Sequence, residues 1–304
     1  MKYVREREKL APQGPSVVTL GKFNGMHRGH QKLINRVLEI GKKCCETVVC
    51  AFETPSRKLL TGEERYALLD AMGIDTLVEC QMDARLMHMG PEEFIQQVLV
   101  GQMHAGWVVV GCDFRFGYQR KGDAAYLQKM GQTYGFQVEI LEKEMDGKRP
   151  ISSTYIREQL NEGHMEKVNS LLGYDFSTTG EVVHGRGLGH TIGIPTTNLI
   201  PPKEKLMPPN GVYATVSRFP HREYLGITNV GYKPTVGGED FLGVETYLFD
   251  CQENLYGVQS TVTFHHFLRY ERKFASLEQL KGQLLGTDVA QAKDFFAVRQ
   301  YTMG

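Results

Sequence analysis

"SVVTLGKFNGMHRGHQ", Ser16 to Gln31, decides how the first half of the chain is read. A β-rich run passes into a loop carrying Gly21, Gly25 and Gly29, and two histidines, His27 and His30, arrive as helical spacing begins at Leu33, Ile34, Val37 and Leu38. The spacing predicts strand, glycine loop and helix in immediate succession. A helix that follows the first strand of a doubly wound sheet points its free N–H groups and partial positive charge into the crevice where ligands collect. Glycines there let the backbone approach a phosphate, and His27 and His30 in the first turn add donors that can be protonated. The expected task is to bind a phosphoryl group and stabilise the charge that develops on it. Two histidines without carboxylate or cysteine partners nearby do not make a zinc site. The loop is neither a Gly-x-Gly-x-x-Gly dinucleotide turn nor a Gly-x-x-x-x-Gly-Lys-Ser/Thr phosphate loop.

Outward from this stretch, β-rich runs ("TVVCAF", "DTLVEC", "WVVVG", "FQVEIL") alternate with helical patterns ("GEERYALLDAMG", "PEEFIQQVLVGQMH", "DAAYLQKMGQTYG"). That alternation predicts crossover connections and a parallel, doubly wound sheet. After one further helix, "STYIREQLNEGHMEKVNSLLG", the texture changes. Short strands with turns between them ("GEVVHG", "GVYATVSRF", "EYLGITNVG", "VETYLFD", "GVQSTVTFHHF") predict a small antiparallel barrel or sandwich. A last helix opens at Ser276, with Gln279 at capping-box spacing. The expected domains are 1–173 and 174–304, a division that suits a chain of 304 residues.

Composition bounds the partners. The 35 basic residues balance the 35 acidic ones, so no global field draws the chain to nucleic acid or an anionic membrane. Six cysteines without a Cys-x-x-Cys pair read as reduced thiols in a cytoplasm. No signal-like segment or membrane span is expected, and nothing in the sequence sets an oligomeric state.

The second half carries its own motif, "GEVVHGRGLGHTIGIPTTNL". Gly185, Gly187 and Gly189 follow a strand, either as a plain hairpin turn or as a flexible cover for a ligand. "PTTN" places hydroxyl and amide oxygens beside them, which suits Mg²⁺, an ion that prefers oxygen ligands and shares them with substrate phosphates. On "GVETYLFD", Glu245 shares a strand face with Tyr247 and Phe249 by period-two alternation. That setting makes it a candidate base.

Taken together, "GKFNGMHRGHQ", "ISSTYIR", "VVVGCDFRFG", the "PTTN" motif, "NVGYKPTVGG", "LYG" and "FLRYERKF" resemble the bifunctional prokaryotic riboflavin kinase/FMN adenylyltransferase (FAD synthetase) family, over nearly the whole chain. The resemblance implies phosphorylation of riboflavin by ATP to FMN, then adenylylation of FMN to FAD with release of pyrophosphate. It implies a nucleotidylyltransferase domain followed by a kinase barrel. By it, His27 and His30, with Gly21, Gly25, Gly29, Ser152, Ser153, Thr154 and Arg157, would bind one ATP. Gly185, Gly187 and Gly189 would cover the other, Thr196 and Asn198 would hold Mg²⁺ and phosphate oxygens, and Glu245 would take the proton from the ribityl hydroxyl. Asp113, Phe114, Arg115 and Arg269 would contact flavin. The family usually has Asp at Asn24, Phe-x-Pro-His-Pro at "FETPS" (Phe52 to Ser56) and Ala at Thr197, and the first two departures fall in the adenylylating half. A carboxylate at position 24 would orient a donor such as His27 or assist a metal bound to the triphosphate, so Asn24 is expected to slow the second reaction. The alternatives are a kinase with a weakened adenylylating half and a flavin-binding regulator.

Overall fold

The computed structural model describes residues 1–5, 10, 12, 14–42, 45–53, 55–185, 193–234, 240–299 and 301. They form two compact units, Met1–Ser153 and Thr154–Gly304.

The first unit is built on a six-stranded sheet. Its elements run β1 (Lys2–Val4), β2 (Ser16–Gly21), α1 (Arg28–Gly41), β3 (Glu46–Phe52), α2 (Gly62–Met72), β4 (Thr76–Cys80), α3 (Ala84–His88) and α4 (Pro91–Phe94), which continues as a π-helical stretch, Ile95–Gln102. Then follow β5 (Ala105–Gly111), the small hairpin β6 (Arg115–Phe116) and β7 (Gly122–Asp123), α5 (Ala124–Tyr134), β8 (Gln137–Leu141) and a second hairpin, β9 (Met145–Asp146) with β10 (Arg149–Pro150). The strand order is β1-β4-β3-β2-β5-β8, and every neighbour is parallel. Residues 16–20 of β2 are all buried, as a central strand covered on both faces requires. Val18, Leu20, Val48, Val108 and Val110 pack with Ile95, Leu99 and Leu127 on one face. Helix α1 crosses β2, β3 and β5, burying Ile34 and Val37. The chain moves outward from β2 to β3 and β4, then returns to the other side of β2 at β5. The carboxyl ends of β2 and β5 therefore flank the point where the winding reverses, the place where such sheets bind ligands.

The second unit holds α6 (Ser153–Asn161) from its second residue, and α7 (Met165–Leu172). The single helix expected here is two, because the chain turns at Gly163, whose φ of +78° is left-handed. Helix α7 packs on the barrel, and Asn169 Nδ2 donates to Phe264 O at 2.9 Å. The barrel closes with order β11-β12-β15-β14-β13-β16. In chain order these strands are β11 (Ser177–Val183), β12 (Thr196–Leu199), β13 (Gly211–Arg218), β14 (Glu223–Pro234), β15 (Asp240–Leu248) and β16 (Gln259–Tyr270). Strand β12 was not among the expected strands. Inside the barrel, Thr215, Thr228 and Thr246 join hydroxyl to hydroxyl at 2.7 and 2.8 Å. Thr197, also paired to Thr246 across the strands, turns its hydroxyl to the Thr246 carbonyl at 3.4 Å. The chain ends with α8 (Leu277–Gln283), a π-helical stretch Leu284–Asp288 and α9 (Val289–Val298). Ser276 caps α8 by accepting from Gln279 N. Ala292 and Phe296 of α9 pack on Val212, Ala214, Val216, Ile227 and Phe249.

Candidate active sites

In the first unit the loop between β2 and α1 is turned sharply. Gly25 has φ +93°, and Phe23 and Met26 also have positive φ, at 43° and 38°. His27 is the N-cap of α1, and its ring stacks on that of His30 with centroids 3.7 Å apart. Gly29 makes room for this stack, since a Cβ there would lie 3.3 Å from the His27 ring. Gly21, at the end of β2, lies as closely under Phe23. His27 is only 6 % exposed, and burial pulls its imidazole down to about 4 against a backbone hydrogen bond that raises it. Burial, with repulsion from His27, holds His30 well below the ordinary value. Both rings are thus neutral near pH 7. The Nδ1 atoms of both are buried with no hydrogen-bond partner, which is costly unless a ligand satisfies them.

The described hydrogen bonds of Asn24 go to Leu59 and Ser153 rather than to the His27 ring. Asn24 Oδ1 accepts from Leu59 N at 2.9 Å, and its carbonyl accepts from Ser153 Oγ at 2.6 Å. Ser153 thereby joins the glycine loop, with Ser152 half-buried before it. Thr154 (exposed) and Arg157 (half-buried) continue along α6 in the second unit. After β5, Asp113 is exposed and pairs with Lys143 at 2.9 Å. Phe114 stacks on Phe116 at 5.4 Å, and exposed Arg115 donates to the Phe114 carbonyl.

In the second unit the motif residues converge on the outer face of the barrel. Register places Val183, Asn198, Glu245, Asn229, Val212 and Arg269 in one row across the strands. Thr196 Oγ1 donates to Glu245 Oε1 at 2.7 Å. The Gly185 backbone lies against Asn198, so close that a Cβ would sit 2.3 Å from its Nδ2. Gly187 and Gly189 lie outside the described residues. Tyr247 shares the outer face with Glu245, while Phe249 lies just past β15 and meets Tyr247 at 6.0 Å. Arg269, at the end of the row, gives its guanidinium to buried Asp288, with Nη2 to Oδ2 at 2.7 Å and Nε to Oδ1 at 2.9 Å. This oxygen-rich row can hold a triphosphate and a hydroxyl-bearing substrate. Asn229, which donates to Glu271 at 3.2 Å, was missed from sequence. It opens the quoted "NVGYKPTVGG", but only the strand register sets it opposite Glu245. Missed too was a buried cluster at the carboxyl ends of β3 and β4, where Arg65 meets both Glu53 and Glu79.

Residues 9–155 match the family model for FAD synthetase and residues 172–296 that for riboflavin kinase. The bifunctional riboflavin kinase/FMN adenylyltransferase of Escherichia coli strain K12 is 35 % identical over 312 residues, covering 98 % of this chain and 99 % of the relative. That of Pseudomonas fluorescens is 35 % identical over 308 residues, covering 96 % and 97 %. A solved structure from Streptococcus pneumoniae, described as a macrolide-efflux protein, is similar with a TM-score of 0.85 and 29 % identity, covering 96 % of this chain and 98 % of that one. Among the described residues no helix is long and apolar enough to cross a membrane. With both halves matched in order and the relatives covered almost end to end, the chain belongs to the bifunctional riboflavin kinase/FMN adenylyltransferase family.

Proposed function

We propose that this protein phosphorylates riboflavin with ATP to give FMN and then joins FMN to the AMP moiety of a second ATP, releasing pyrophosphate. The observation that carries it is the convergence of Gly185, Thr196, Asn198 and Glu245 on one outer row of the barrel. There Glu245 takes the proton from the ribityl primary hydroxyl as that oxygen attacks the γ-phosphorus, and ADP leaves. The flavin lies along the row towards Arg269, whose guanidinium Asp288 holds in place. Among the described residues no three His, Cys, Asp or Glu side chains group as metal ligands. A hydroxyl (Thr196) and an amide carbonyl (Asn198), both hard oxygens, fit Mg²⁺ that takes its remaining ligands from phosphate and water. Held there, such an ion would neutralise charge on the transferring phosphates.

In the other half the N-terminus of α1 and the imidazoles of His27 and His30, whose Nδ1 atoms are unpartnered, meet the triphosphate of the adenylylating ATP. Gly21, Gly25 and Gly29 admit it closely, Ser152 and Ser153 bind phosphate oxygens, and Asp113, Phe114 and Arg115 contact FMN. The functional boundary lies near Gly173, where α7 ends. Purified protein given riboflavin, ATP and Mg²⁺, with FMN and FAD resolved over time, tests this reading. FMN should appear first and FAD from it, and chelation of the metal should stop both. Formation of neither product would overturn it.

A further inference from the structure

Two carboxylates share one buried guanidinium in the first unit. Arg65, only 2 % exposed, sends Nη2 to Oε1 of both Glu53 and Glu79. Beyond that shared nitrogen the carboxylates lead to different places. Glu79 Oε2 accepts from the Tyr3 hydroxyl on edge strand β1. Glu53, the first residue after β3, accepts from Lys58 Nζ through its other oxygen. Burial works against the Glu53 charge, but the hydrogen bonds from Lys58 and Arg65 prevail and hold its carboxyl below the usual range. Lys58 is followed by Leu59, whose side chain is 1 % exposed and whose N–H donates to Asn24 Oδ1 at 2.9 Å.

Asn24 sits inside the strained turn, flanked by left-handed Phe23 and Gly25, with Met26 next. Backbone in such a conformation persists only where its surroundings hold it. Of the two hydrogen bonds described at Asn24, one comes from Ser153 and the other from Leu59. We infer that Glu53 is a positioning residue for adenylyl transfer: tied to Arg65 and Lys58, it fixes the segment whose Leu59 amide holds the Asn24 turn and, through that turn, His27. The inference rests on the adenylylating role proposed for His27 and His30.

The paired isosteres Glu53→Gln and Glu79→Gln in the full chain separate positioning from support. Each removes one charge from the same guanidinium, and only one acts on the Asn24 turn. Misplacement of a reacting geometry by about 1 Å costs on the order of 10²-fold in rate. Glu53→Gln should therefore lower kcat for FMN adenylylation by roughly 10- to 100-fold, with KM for FMN little changed. Riboflavin phosphorylation in the same preparation should stay at the parent rate. Glu79→Gln should leave both rates within about twofold, on the same grounds. Should Glu53→Gln not fold, Lys58→Met, which keeps the Arg65 contact and cuts only the tie to the segment, should show the same selective loss. A parent-like rate in whichever variant is read, or losses in Glu53→Gln and Glu79→Gln that match each other and track melting temperature, would overturn the inference. A parent protein that makes no FAD from FMN would instead overturn the proposed role of the histidines.

Discussion

Near pH 7 the fold holds His27 as a neutral ring. Its value of about 4 in the fold lies below the ordinary 6.5, so the unfolded chain binds the proton more readily. The stability this gives is complete above about pH 6.5 and is lost as pH falls through 4, a span worth on the order of 3 kcal/mol. His30 has the same sign. An NMR titration of the His27 ring carbons should find no midpoint above pH 5, and one near 6.5 would contradict the burial argument. Glu245 is tested by Glu245→Gln, which keeps the Thr196 contact possible but removes the proton acceptor. FMN formation should fall by about 10²- to 10⁴-fold while adenylylation of supplied FMN persists, and an unchanged FMN rate would remove Glu245 from the chemistry. These residues were legible because each sits in a short motif. Glu53, Arg65 and Asn229 were not singled out, since what each meets depends on where the fold brings β3, β4, α2 and the barrel strands.

At the scale of elements, the strongest tether described in the second unit is Arg269 on β16 to Asp288 at the start of α9. Asp288 is fully buried and also accepts from Gln283 Nε2 at 2.7 Å. Arg269→Met would strand that carboxylate, and breaking a buried pair in this way costs about 3–5 kcal/mol. Adding Asp288→Leu should recover much of the loss, as a double-mutant cycle in thermal denaturation would register. A single variant as stable as the parent would mean the pair does not tether α9. Long periodic helices such as α1 and α5 could be read from spacing, as could the run of parallel strands. Strand β12 could not, because Thr196–Leu199 is four residues long and mostly polar, and its strand character comes from pairing with β11 and β15. The break between α6 and α7 was hidden for a similar reason. Gly163 turns the chain where the Phe267 ring closes over it, 3.2 Å from where a Cβ would stand.

For the whole molecule, the question is where the barrel unit can be cut. Helix α7 buries Val168, Leu171 and Leu172, and Asn169 Oδ1 accepts from Phe176 N at 2.9 Å as the chain enters β11. Glu166 meets His266 on β16 at 2.6 Å. A fragment of residues 154–304 should fold and phosphorylate riboflavin, whereas 174–304 should be less stable by several kcal/mol, given about 1.5–3 kcal/mol per buried apolar side chain. Equal melting temperatures for the two fragments would show that α7 adds nothing to the barrel. The threonine hydroxyls inside the barrel have a spectroscopic use. Thr215, Thr228 and Thr246 are at most 1 % exposed and bonded to one another, so their protons can leave for solvent only when the strands part. Their exchange is a built-in stopwatch for opening of this unit. A ligand that closes on the barrel slows it in proportion to occupancy, and one bound only to the parallel-sheet unit leaves it running at its own pace.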